Sequence, residues 1–312
     1  MERLLRPFRR IYAYKRLFRN WIQILSELRR NKDLIRVVMI DGSSNVCTIE
    51  CIVTLADLVD LYNFDPEKFY FNKDGLFYSN NLIIRDSRGS ILITAGGFIK
   101  DDDTWYNKKY NLKFSINTNY LALFETFVLE QYNTEIEGEV VDIGANIGDS
   151  SLYFAVKCAS HVYAFEPLPS VYKIALENIK LNHLENKISL FNAAIGSKEG
   201  KIKVPSYIDA DQSGKFTVTN VGDVEVPVIP FDKVREMVKD PYLLKMDCEG
   251  CEADIIFSSE LDFEKLFVES HPNITNIPHK QLIKQLEYQD YKCLERMRTG
   301  KYNRLYLCEK RR

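Results

Sequence analysis

No apolar run in this chain approaches the roughly 18–20 residues that a membrane-spanning helix needs, which argues against an integral membrane protein. No basic-then-apolar leader opens it, because arginines interrupt residues 3–19 repeatedly. Internal repeats and low-complexity tracts are missing, so solenoid and disordered classes drop out. Cysteine is sparse and odd in number, seven in 312 residues, far too thin for a disulfide-stapled secreted scaffold. These absences together read as a cytoplasmic protein. Net charge is also nearly lacking, at −2, but its distribution is uneven. Residues 1–36 hold 11 Lys/Arg against 3 Asp/Glu, out of totals of 42 and 44, so the remainder carries 31 against 41. A basic arm on an acidic body touches something anionic or docks on the body itself.

What is present is a chain that is 46% apolar and 12% aromatic, enough to bury a substantial core. Its length fits one large domain or two ordinary ones. Residues 4–30 read as a basic amphipathic helix, with Leu4, Phe8, Ile11, Phe18, Ile22 and Leu25 at three-, four- and seven-residue steps. Three readings fit it: apolar packing on the neighbouring β region, peripheral membrane contact through residues 1–30, or nucleic-acid binding, the least favoured. Residues 35–99 show three hairpin-like units in succession, turning at Asp41-Gly42, Asn72–Gly75 and Asp86–Gly89, which imply a small antiparallel β region. Residues 98–111 are polar and read as a linker.

A helix follows at about 117–132, and the pattern then alternates strand and helix. The strand candidates are 139–143, 161–166, 187–192, 242–247 and 265–269. Such alternation indicates an α/β fold with a mostly parallel sheet. Segments around Thr299-Gly300-Lys301 form a terminal antiparallel hairpin, the arrangement of Rossmann-like methyltransferase sheets. The expected organisation is a helix at 1–34, a β region and linker at 35–111, and an α/β domain at 112–312.

The sharpest signal is EVVDIGANIGDSSLYFA, residues 139–155. Gly144 and Gly148 let the backbone turn tightly from strand to helix, offering free N–H groups and the positive end of a helix dipole. The next strand ends in Glu166, 24 residues after Asp142, where a carboxylate can accept two hydrogen bonds from a ribose diol. A dinucleotide site favours a middle glycine in this turn, yet Asn146 stands there. S-adenosylmethionine lacks a pyrophosphate, and its ammonium and sulfonium want acceptors such as Asp142. The combination fits that cofactor better than NAD.

YLLKMDCEGCEADII, residues 242–256, sets Asp247 and Glu249 at a strand's C-terminal end, where ligands of open α/β sheets bind. A carboxylate there can act as general base toward an acceptor hydroxyl. His271 follows the next strand onto the same rim as a candidate proton shuttle. The Cys248–Cys251 spacing lacks the second pair that a zinc site needs, so no metal is expected, and the cysteines read as packing residues, with Cys293 and Cys308 near each other on the terminal hairpin.

VVDIGANIGDSSLYFA, YAFEP, NAAIGSKEG and LKMDCEGCE together resemble the motif run of FkbM-type methyltransferases, over roughly residues 112–312. The resemblance implies a Rossmann-like fold, S-adenosylmethionine as donor and O-methylation of a hydroxyl, commonly on a sugar, glycan or other small metabolite. By position it assigns Asp142, Gly144, Asn146 and Gly148 to the glycine turn and Glu166 to the ribose. It assigns Asn192 to the adenine edge, and Asp247 with Glu249 to the acidic pair. Cys248 and Cys251 depart from the family's usual small or aliphatic residues, and residues 1–111 lie outside the shared region. The competing readings are a nicotinamide-dependent oxidoreductase and a non-catalytic nucleoside-binding module.

Overall fold

The computed structural model describes residues 2–215, 221–299 and 302–311. The chain folds as two compact units, Met1–Asn111 and Leu112–Arg312.

In the first unit the basic segment forms two helices, α1 (Glu2–Leu17) and α2 (Trp21–Arg29), where the sequence pattern suggests one. The break falls at Phe18–Asn20, where Phe18 bridges to Met39 and Asn20 bonds the backbone of Arg36 and Val38. Tyr14, Leu17, Phe18 and Ile24 are buried, whereas Tyr12 and Ile22 are exposed. The side chains of Leu4 and Phe8 lie outside the described residues. Strands β1 (Leu34–Val38) and β2 (Ser44–Thr48) pair as a hairpin. Its apolar continuation turns into helix α3 (Ile49–Asp60), because Thr48 caps it by accepting from the Cys51 amide. Strands β3 (Phe69–Asn72), β4 (Gly75–Tyr78) and β5 (Asn81–Ile83) make an antiparallel meander.

Two stretches depart from expectation. The third anticipated hairpin ends in a helix, α4 (Arg88–Ala95), since Ser87 and Ser90 form a reciprocal capping box and residues 90–95 are all buried. The anticipated linker at 98–111 instead contains a hairpin of β6 (Phe98–Asp101) and β7 (Thr104–Asn107), with the acidic run as its polar tip.

The second unit begins with β8 (Leu112–Ser115) and a short helix α5 (Tyr120–Leu123) that widens into a π turn over Phe124–Val128. Its sheet is built from β9 (Glu139–Ile143), β10 (Val162–Phe165) and β11 (Ile188–Phe191), with α6 (Asp149–Val156) and α7 (Pro169–Leu181) as crossovers. A small side sheet follows, made of β12 (Ala194–Gly196), β13 (Gly200–Val204) and β14 (Val224–Pro230). After α8 (Phe231–Met237) the main sheet resumes as β15 (Pro241–Met246), α9 (Cys251–Ser258) and β16 (Lys265–Ser270). The short α10 (Pro272–Thr275) and α11 (His279–Tyr288) lead to the closing pair β17 (Tyr291–Thr299) and β18 (Asn303–Lys310).

The seven strands lie in the order β11-β10-β9-β15-β16-β18-β17, parallel except for β18, which runs antiparallel to both neighbours. This is the expected Rossmann-like sheet with a terminal antiparallel hairpin; the turn residues Gly300 and Lys301 lie outside the described residues. The chain winds outward from β9 in both directions, so the crevice between the C-terminal ends of β9 and β15 is the topological switch point, where such sheets bind ligands. The buried faces of these strands are apolar: Val141, Leu244, Leu266 and Val268 join one core cluster with Phe231, Ile255 and Leu286. Among the described residues no helix is long and apolar enough to cross a membrane.

The cysteines correct the packing expectation. Cys248 pairs with Cys251 and Cys293 with Cys308. Facing positions on β17 and β18 bring the second pair together, while Cys47, Cys51 and Cys158 are free.

Candidate active site

The first loop at the switch point runs from β9 into α6. Gly144 sits at φ +82°, and a Cβ there would lie 1.9 Å from the Asp247 carbonyl oxygen, so only glycine fits. Gly148, at φ +80°, starts α6 from the left-handed region. Between them Asn146 adopts φ +48°, a conformation that costs a non-glycine residue energy and recurs at ligand sites. Its Oδ1 accepts from the Ser213 hydroxyl at 2.8 Å.

Glu166, one residue beyond β10, is nearly buried. Its Oε2 accepts from the Asn146 amide and its Oε1 from the Leu168 amide, each at 2.9 Å. Burial nevertheless pushes its carboxyl up to about 7. The carboxylate is therefore aimed at the turn by two backbone donors. Gly144, Asn146 and Glu166 line one cavity of about 590 Å³, within the range of small-molecule sites.

Two expected cofactor contacts sit elsewhere. Asp142 is fully buried and does not line the cavity. Its Oδ2 accepts from the Ser150 and Ser151 hydroxyls at 2.7 and 2.6 Å, and its Oδ1 pairs with Lys245 Nζ at 3.0 Å. It thus ties the start of α6 to β15, positioning the turn from behind. Asn192 is likewise outside the cavity lining; its Nδ2 donates to the Glu166 and Pro167 carbonyls at 2.9 and 3.0 Å. It braces the loop after β10, and Ala193–Gly196 take the place at the wall. The reason is local: a side-chain amide beside two unpaired carbonyls is satisfied there first.

The loop after β15 adds an acidic stretch to the lining. Asp247 follows β15, and its amide donates to the Ile143 carbonyl at 3.1 Å. Tyr132 donates to Asp247 Oδ2 at 3.3 Å. Glu249, at φ +52°, stands beside it, and burial followed by the nearby Asp247 and Glu252 pushes its carboxyl up to about 7 against the opposing pull of His271. Behind them His271 is 1% exposed. Its Nδ1 lies 2.7 Å from Glu252 Oε1, and the Gly250 amide donates to Glu252 Oε2 at 3.0 Å. Its Nε2 lies 3.4 Å from Glu249, 3.6 Å from Glu269 and 4.0 Å from Asp247. Burial lowers the imidazole's affinity for its proton, but Glu252 and then the other carboxylates outweigh this and raise it to about 10. The three proposed catalytic residues Asp247, Glu249 and His271 are thus side by side.

Four further groups belong to the same cavity and are not singled out as site residues by the sequence. Lys245 projects from β15 with Nζ 2.6 Å from the Gly144 carbonyl. Burial opposes its charge, yet Asp142, Asp247 and Asp149 more than compensate and hold it protonated. Its one signal is a lysine inside the apolar strand YLLKM. Asp149, bonded by the Thr126 hydroxyl at 2.5 Å, is pushed by burial up to about 6. Glu125 is pushed by burial, then by Asp247 and Asp149, up to about 8. Tyr132 carries no sequence signal of its own.

No curated protein matches the sequence. Solved structures align with it at low identity. The methyltransferase FkbM from Methylobacillus flagellatus KT aligns at 17% identity and TM-score 0.39, over 61% of this chain and 53% of that one, about half of the neighbour's length. A protein in the NADB-Rossmann superfamily from Streptococcus agalactiae aligns at 13% and 0.36, over 61% and 67%. M. capricolum TrmK in complex with S-adenosyl-homocysteine aligns at 13% and 0.37, over 58% and 65%. The model of the methyltransferase FkbM domain matches residues 142–293, a span that holds the glycine turn, Glu166, Asp247, Glu249 and His271. Over residues 142–293 the chain is therefore similar to the methyltransferase FkbM domain.

Proposed function

We propose that this chain is an S-adenosylmethionine-dependent methyltransferase acting on a hydroxyl of a sugar, glycan or other small metabolite. The observation that carries the reading is one cavity lined by two chemically distinct groups of residues. Gly144, Asn146 and Glu166 line it together with the acidic Asp247, Glu249 and Glu269.

The turn suits the cofactor. Glu166, held by the Asn146 and Leu168 amides, keeps a further lone pair on each oxygen for a ribose diol, and the positive end of the α6 dipole favours an anionic group nearby. S-adenosylmethionine supplies an electrophilic methyl group on a sulfonium. The chain's own residues do the rest. Asp142 and Lys245 fix the turn from behind, Glu166 orients the nucleoside, and Asp247 or Glu249 accepts the acceptor hydroxyl's proton. Holding both reactants in one oriented site can supply roughly 7–11 kcal/mol of barrier reduction.

Isothermal titration of S-adenosyl-homocysteine into the purified chain tests the cofactor. Saturable binding supports the reading; binding of NAD⁺ in its place, or of neither, overturns it. Mass spectrometry of a host extract incubated with protein and methyl-labelled cofactor then finds the acceptor as a labelled product. Peripheral membrane contact through residues 1–30 belongs to the proposal as well, supported by exposed Tyr12 and Ile22 within a basic segment. Unchanged liposome binding after deletion of those residues would refute it.

A further inference from the structure

We infer that Asp247, Glu249 and His271 form a binding site for one divalent transition-metal cation at the acidic part of the cavity lining. The ligand atoms of these three residues all lie within 4.8 Å of one another. Two donors on one cation at about 2.1–2.2 Å stand no more than roughly 4.4 Å apart, so small rotations of Asp247 and Glu249 close the set.

The imidazole carries the argument. His271 is 1% exposed, and its Nε2 makes no hydrogen bond among the described residues. A buried ring nitrogen without a hydrogen bond, faced by carboxylates only at 3.4, 3.6 and 4.0 Å, is costly unless something occupies the space they share. That space is ringed by carboxylates, with Glu269 on a further side at 3.6 Å. The other ring nitrogen is held by Glu252, itself fully buried, at 2.7 Å. A carboxylate on Nδ1 that fixes the ring and aims Nε2 outward is the supporting arrangement of metal-bound histidines. The Cys248–Cys251 disulfide closes around Glu249 and Gly250, which pins the loop bearing one ligand.

Two carboxylates with one imidazole suit Mn²⁺, Fe²⁺ or Zn²⁺ better than Ca²⁺, which takes oxygen ligands alone. Asp247, Glu249 and Glu269 line the cavity, so the open coordination positions face the acceptor. A cation there would hold the acceptor's oxygen and ease loss of its proton. That use rests on the transferase reading above; the site itself stands on its own ligands.

The test is titration of MnCl₂ and, separately, ZnCl₂ into the full chain without reductant, followed calorimetrically and, for Mn²⁺, by electron paramagnetic resonance. One cation per chain is expected. Glu249→Gln, at a partly exposed position, should weaken binding at least about 10-fold, and Glu252→Gln, acting through His271, by roughly 10–100-fold. Circular dichroism checks that both variants fold. Absence of binding by either metal at millimolar concentration, or equal binding by wild type and a folded Glu249→Gln, overturns the site. Parallel titration with S-adenosyl-homocysteine separates the proposals: cofactor binding without metal binding sinks the cation site alone, and metal binding without cofactor binding sinks the transferase reading alone.

Discussion

The backbone amide of Asn146 donates to Glu166 Oε2 at 2.9 Å, joining the turn after β9 to the tip of β10. The two halves of the expected nucleoside site therefore share one wall. Had Glu166 faced the other side of the sheet, no ligand could have touched both.

Glu166→Gln keeps the side chain's size but removes a charged acceptor. A hydrogen bond to a charged group contributes about 1.5–3 kcal/mol, so S-adenosyl-homocysteine should bind roughly 10–100-fold more weakly to this variant. Calorimetry measures it, and circular dichroism should show an unchanged fold.

The same carboxyl predicts a pH profile. Burial holds it up to about 7, and only the ionised form accepts a hydrogen bond from each of two hydroxyls without donating one. Cofactor affinity should therefore rise from pH 6 to pH 8. In Glu166→Gln that rise should flatten; a wild-type profile without slope in this window contradicts the assigned role.

Stability should run the opposite way. Glu125, Asp149 and Glu166 are held up to about 8, 6 and 7, above their unfolded values. Between those values the folded chain holds more protons than the unfolded one, so stability falls as pH rises. The ligand-free protein should melt at a lower temperature at pH 8 than at pH 6, as read by scanning calorimetry.

Lys245→Met leaves Asp142 buried with its two serine donors but no counter-charge. Breaking a buried ion pair costs about 3–5 kcal/mol. Urea unfolding should show a loss of that size, and cofactor binding should weaken because the Gly144 carbonyl loses its anchor.

Gly144→Ala combines a left-handed conformation with direct overlap on the Asp247 carbonyl. A loss of about 3 kcal/mol or more is expected, with cofactor binding abolished even where the chain still folds. Gly200, which has no atom within 4 Å of a Cβ, is the matched control and should tolerate alanine.

Much of this was legible in the sequence. The strands 139–143, 161–166, 187–192, 242–247 and 265–269 appear within a residue or two of β9, β10, β11, β15 and β16. Short β-branched runs ended by Gly, Pro or acidic residues have few alternatives in an alternating pattern. Residues 88–95 misled because ILIT is as good a strand as a helix, and the capping serines with full burial decided it. Positions 98–111 misled because a polar hairpin tip and a linker share a composition. At the cavity, Glu125 and Tyr132 could not be read because tertiary packing alone brings them there, whereas Asp149 lies within the glycine-turn motif and was passed over. Asp142 and Asn192 sit behind the cavity lining, because a sequence shows which loop a side chain belongs to and not which way it turns.

The missing methyl at position 144 has a mechanical outcome. With no room between the Gly144 backbone and the Asp247 carbonyl, the loops after β9 and β15 are set at one fixed gauge. Changes in the cavity's shape would leave that spacing alone and fall to the side sheet, whose Ile202 and Val228 also line it.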